Sequence, residues 1–220
     1  MKNLTALLLA LLVAGPLAAQ SIIPRERPAT GDREGTFTGD PFRKVMDQFA
    51  ACVLDMRRKR VMQALALPAD SPEQNKLFSG LSKTQCTYNT QIHFSGPTFR
   101  GSLYKALVRK DLGRKDVFTA AEPGAQTTPA ANKGTFLDET DPLKFASCVV
   151  HLDPEHARDA ILSTAGSDME EEAMTALSKV YGQCLYKGEI LHLSKGGIIG
   201  LLAEAYYRDA TASAEVASAK

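Results

Sequence analysis

Between Phe42 and Met56 the apolar residues Phe42, Val45, Met46, Phe49, Val53 and Met56 fall at steps of three and four, which lines them along one face of an α-helix. Asp40-Pro41 ahead of them suits an N-cap followed by proline in the first turn. A second helix is expected after Ser71-Pro72-Glu73, carrying Leu77 and Leu81. Then come a short β-type segment, TQIHF (90–94), and a third helix with Phe99, Leu103, Ala106 and Leu107, capped by Ser95. The same order returns further along. Asp141-Pro142 starts a helix and Asp153-Pro154 restarts it, so this helix is expected to be broken where its counterpart runs on. A second helix begins near Ser167-Asp168 with Met174, Leu177, Val180 and Tyr181. EILHL (189–193) and a third helix with Ile198, Leu202, Ala205 and Tyr206, capped by Ser194, close the series.

The two series share residues as well as order. FAACVL (49–54) matches FASCVV (145–150), and each is followed at the same distance by LSK (81–83 and 177–179) and then by a cysteine. Phe49 to Lys83 aligns with Phe145 to Lys179 without a gap, and His93 to Arg109 aligns likewise with His192 to Arg208. An internal repeat of this length fixes the architecture first. The expected fold is mainly α: two homologous helix–helix–short strand–helix repeats, at 41–112 and 139–210, arranged about a pseudo-two-fold. Each repeat is small enough to be marginal alone. Residues 20–40 and 113–138 are rich in Pro, Gly and Thr with little apolar periodicity, and read as a disordered leader and a linker. Residues 211–220, rich in Ala and Ser, read as a flexible tail.

Lys2, an apolar run from Leu4 to Val13, and small residues up to Ala19 form the pattern of a secretory signal peptide at 1–19. The run is too short to span a bilayer of about 30 Å. The expected location is periplasmic or secreted, where paired cysteines oxidise. Four cysteines allow three pairings. The repeat favours Cys52–Cys86 with Cys148–Cys184, because an antiparallel pair of helices in each unit brings its own two cysteines together. Each closes a loop of over thirty residues, which stabilises by roughly 3–4 kcal/mol in the chain-entropy treatment. No CxxC is present for redox catalysis.

The formal net charge is only +1, which argues against nucleic acid or anionic lipid as the main partner. That near-neutrality hides a split. Residues 43–112 hold twelve Lys/Arg against five Asp/Glu, and residues 139–210 hold six against twelve. The densest runs are Arg57-Arg58-Lys59-Arg60 and Glu170-Glu171-Glu172, each read as a solvated helix face. Opposite charge on two copies of one fold favours docking of the basic repeat on the acidic one within a chain, with head-to-tail association between chains as the lesser option.

His93 and His192 recur at matching positions, as do Arg109 and Arg208. A symmetric histidine pair has the chemistry to share a metal or act as acid and base. Duplication repeats a structural residue just as faithfully, so a shared structural niche is the simpler reading. Each arginine lies near the C-terminal end of a third helix, where a cation offsets the helix dipole. Gly101 and Gly200 fall inside those helices, where glycine costs about 1 kcal/mol relative to alanine, and read as packing sites. Ser194 to Gly200 faintly resembles a phosphate-binding turn without its spacing. His151 and His156 are not repeated and lie off a common helical face. HExxH and GxSxG are absent, so no metal, cofactor or nucleophile site is assigned.

FAxC, LSK, cysteine, apolar-His and a final helix with arginine together resemble exported bacterial proteins of unknown function that carry this two-cysteine unit. The resemblance implies export and duplication and transfers no catalytic residue. The expected function is that of an exported non-catalytic interaction protein whose partner is a protein or small molecule. The alternative is a periplasmic, hydrolase-like enzyme using His93, His192, Arg109 and Arg208 in a cleft between the repeats.

Overall fold

Seven α-helices make up most of the described residues, which in this computed structural model are 39–87, 94–113, 141–185 and 191–218. The expected signal peptide, nearly all of the leader and linker, His93, residues 90–93 of the first β-type segment and 189–190 of the second lie outside them. In chain order the helices are α1 (Gly39–Leu65), α2 (Pro72–Leu81), α3 (Gly96–Leu107), α4 (Pro142–Leu152), α5 (Pro154–Leu162), α6 (Asp168–Tyr181) and α7 (Lys195–Ser218). A π-helical turn, Val108–Leu112, extends α3.

Local chemistry starts and stops these helices. Ser71 and Ser167 open α2 and α6 with the same variant of the capping box, in which the side chain three residues on reaches the amide just before the cap. Ser71 Oγ accepts from the Gln74 amide at 3.2 Å, and Gln74 Oε1 accepts in return from the Asp70 amide at 3.1 Å. Ser167 Oγ accepts from the Glu170 amide at 3.4 Å, and Glu170 Oε1 from the Gly166 amide at 3.1 Å. Asp70 and Gly166 take positive φ angles of 58° and 70° just before each cap. Gln74 and Glu170 are both fully buried.

Two expectations are corrected. α1 does not run on unbroken: Arg57 has non-helical angles (φ −137°, ψ 31°), at the position that aligns with Asp153 (φ −144°, ψ 72°) between α4 and α5. Pro154 accounts for the second break, since proline disfavours a helical residue before it. Position 58 is an arginine, so packing sets the bend in α1, whose two arms bury Val53 and Leu54 before it and Val61, Ala64 and Leu65 after it. Secondly, residues 191–194 lack regular structure, and the described residues contain no strand. An isolated short segment has no ladder to join. α7 continues through 211–218, where the alanines are strong helix formers.

The disulfides Cys52–Cys86 and Cys148–Cys184 tie α1 to the turn after α2 and α4 to the turn after α6, with Cα–Cα separations of 5.8 and 5.7 Å. α3 and α7 form the centre of the molecule. α1 packs along α3, while α4 and α5 pack along α7. Phe99 on α3 is fully buried, with ring centroids 5.3 Å from Phe49, 5.1 Å from Phe78 and 4.7 Å from Phe94. Where α3 and α7 cross, the backbones touch. A Cβ on Gly101 would stand 2.7 Å from Gly200 Cα, and one on Gly200 would stand 2.9 Å from Gly101 Cα.

Alanine in an open helix stabilises by about 1 kcal/mol over glycine, but overpacking costs about 1–3 kcal/mol. Gly101→Ala and Gly200→Ala are therefore each expected to lower the unfolding free energy in urea titrations by up to about 2 kcal/mol. A gain in stability contradicts the crossing.

Candidate functional site

Arg109 and Arg208, matched in sequence, occupy different backbones and serve different partners. Arg109 lies in the π-helical turn, and its Nη2 donates to the carbonyls of Ser163 and Leu162 at 2.7 and 3.4 Å. It thereby satisfies carbonyls at the end of α5 that no helical amide reaches. Arg208 lies in regular helix, 2.7 Å from Glu204 and donating to the Tyr104 hydroxyl at 3.3 Å. His192 is exposed in the irregular stretch before α7. His151 Nδ1 lies 2.8 Å from the Ser147 carbonyl, and His156 Nδ1 lies 2.8 Å from its own N-cap, Asp153. Ser194 Oγ accepts from the Gly197 amide at 3.1 Å, so this serine caps α7. Among the described residues no group of three or more His, Cys, Asp or Glu is placed to hold a metal ion.

The interior charges are matched in sign. Arg43 on α1 grips the fully buried Glu170 on α6 through both oxygens, at 2.5 and 2.8 Å. Arg100 on α3 does the same to Glu204 on α7 at 2.6 and 2.8 Å, and its Nη2 also donates to the Leu65 carbonyl that ends α1. Lys105 Nζ, buried, donates to Asp47 at 2.6 Å. Burial pushes the Lys105 ammonium below its ordinary pKa despite that carboxylate.

Glu170 was grouped with a solvated acidic run; it is a buried keystone instead. Its signal in the sequence is the Ser167-x-x-Glu170 spacing of a capping box.

The outer face of α1's bend has the opposite character. Met56, Arg57, Arg58, Lys59, Arg60 and Gln63 face Leu77 of α2 across an open depression of about 560 Å³. Arg58 is engaged, holding Asp111 through both oxygens at 3.0 and 2.6 Å, and Tyr207 donates to the same carboxylate at 2.8 Å. Burial, then Asp111, pushes the Tyr207 hydroxyl up to about 12. Arg57, Lys59 and Arg60 are exposed and make no hydrogen bond or ion pair among the described residues. The Arg60 guanidinium lies against Gly80, 3.4 Å from where a Cβ there would stand. Met56 is 46% exposed, with its sulfur 3.5 Å from Cys86 Sγ. The disulfide thus braces a groove that offers loose cations around an apolar floor.

No family model, no curated protein and no solved structure matches this chain.

Burial raises the pKa of Glu170 and of Asp111, but their hydrogen bonds outweigh it: Arg43 and the Gly166 amide act on Glu170, Arg58 and Tyr207 on Asp111. Both carboxyls sit below the ordinary value. A lowered folded-state pKa gives stability that is present above the unfolded value, about 4, and lost as pH falls through the folded one. Thermal unfolding is expected to drop in temperature as pH falls from about 5 to 3. Glu170→Gln, which keeps the capping box as Gln74 does, is expected to be less stable at pH 7 but to lose less over that range. An equal loss in both proteins contradicts this role.

Proposed function

We propose that this chain is an exported, periplasmic or secreted, non-catalytic binding protein, and that the groove at the bend of α1 takes an acidic segment of a partner protein. Its architecture, on this reading, is two homologous units about a pseudo-two-fold, with the basic unit docked on the acidic one. Support for duplication comes from the paired capping boxes, the positive φ at Asp70 and Gly166, the breaks at Arg57 and Asp153, and the reciprocal Gly101–Gly200 contact. Docking by charge is supported by Arg43–Glu170 and Arg100–Glu204, each a cation of the first half on a carboxylate of the second. Two disulfides and the absence, among the described residues, of a helix apolar enough to cross a membrane are compatible with export.

The observation that carries the binding reading is the contrast between inside and outside. Cations at the interior contacts have carboxylate or carbonyl partners, whereas Arg57, Lys59 and Arg60 line a depression beside exposed Met56 and have none among the described residues. Carboxylates of a partner complete those three, and Met56 with Leu77 accepts an apolar side chain between them.

A fluorescent helical peptide with Glu and Leu at three- and four-residue spacing along one face is the test probe, read by anisotropy. Exposed ion pairs contribute about 0.2–1 kcal/mol each, so Arg57→Gln with Arg60→Gln is expected to weaken binding about two- to thirtyfold. Raising salt from 20 to 300 mM is expected to weaken the wild type similarly, through screening. Unchanged affinity in the double variant rules the groove out.

A further inference from the structure

The molecule carries its own counterpart to the groove. At the start of α6, Asp168 and Glu172 are exposed and four residues apart, which places both carboxylates on one helix face, and exposed Met169, three residues before Glu172, lies along its edge. Asp168 and Glu172 have no ion pair among the described residues. The groove presents the complement: Arg57, Lys59 and Arg60 around Met56, itself half-exposed, and Leu77. We propose that the acidic start of α6 in one copy docks in the α1 groove of a second copy, joining chains head to tail.

One copy cannot close this contact on itself. Glu170, beside the patch, is held by Arg43, and Arg57 lies about 21 Å further along α1 at 1.5 Å rise per residue. Overall charge does not oppose the meeting, because the whole chain carries only +1. The contact joins two different patches, so each added copy leaves one of each free and the series stays open. Its ion pairs are exposed at the surface, which makes the contact weak and salt-sensitive. Self-association uses the groove of the proposed function. It is tested apart from it, since a strictly monomeric protein overturns this inference and leaves peptide binding intact.

The experiment is sedimentation velocity on the mature chain from 10 µM to 1 mM. In 20 mM salt the weight-average mass is expected to rise continuously with concentration, and in 300 mM salt to return to the monomer. Neutral variants block one face each: Arg57→Gln with Arg60→Gln, and Asp168→Asn with Glu172→Gln. Each alone is expected to stay monomeric, and an equal mixture to form one-to-one dimers and nothing larger, because only one competent groove meets one competent patch. Circular dichroism checks that both fold. A wild type that remains monomeric in low salt, variants that associate as the wild type does, or a mixture without dimers overturns the proposal.

Discussion

Everything in this fold is arranged around the place where α3 and α7 meet with no side chain between them. A Cβ at either glycine would intrude to within 3 Å of the other's Cα, so the axes approach as closely as backbones permit. That approach sets how deeply Leu103, Tyr104, Leu202 and Tyr206 are buried. It also brings Arg100 within reach of Glu204 and Arg109 within reach of the last carbonyls of α5. Glycine in mid-helix is locally unfavourable, and the dense contact that it allows is what offsets it.

Two ion pairs near that crossing join the first half of the chain to the second. Breaking a buried ion pair leaves a stranded charge, and that penalty exceeds the pair's net contribution to stability. Arg43–Glu170 and Arg100–Glu204 therefore weigh on stability mainly through what either partner would cost if left alone. A first half facing another first half would bury Arg43 and Arg100 without carboxylates. Gln74 and Glu170 make the same point within one motif. Both close a capping box, but the neutral Gln74 turns to the Ala64 carbonyl, while Glu170 requires Arg43 from across the molecule.

Helix phases, N-caps and cysteine pairing were legible because each is a local matter of spacing: Ser71, Ser95, Asp141, Ser167 and Ser194 all cap the helices that they precede. The bend at Arg57 was not, since no proline or glycine marks it. Arg109 and Arg208 read as equivalents, and the π-helical turn after Leu107 separates them by re-aiming one side chain. Glu170 was hidden among its neighbours Glu171 and Glu172, where composition outweighed position. The groove itself appeared only as a basic run. Which of its four cations are engaged depends on Asp111, more than fifty residues away in the chain.

Native-state hydrogen exchange tests the shared centre most directly. If α3 and α7 are one unit, their buried amides, from Leu103 to Leu107 and from Leu202 to Tyr206, open together with the free energy of global unfolding. Exchange of α7 through a separate, lower-energy opening while α3 remains protected would contradict the account.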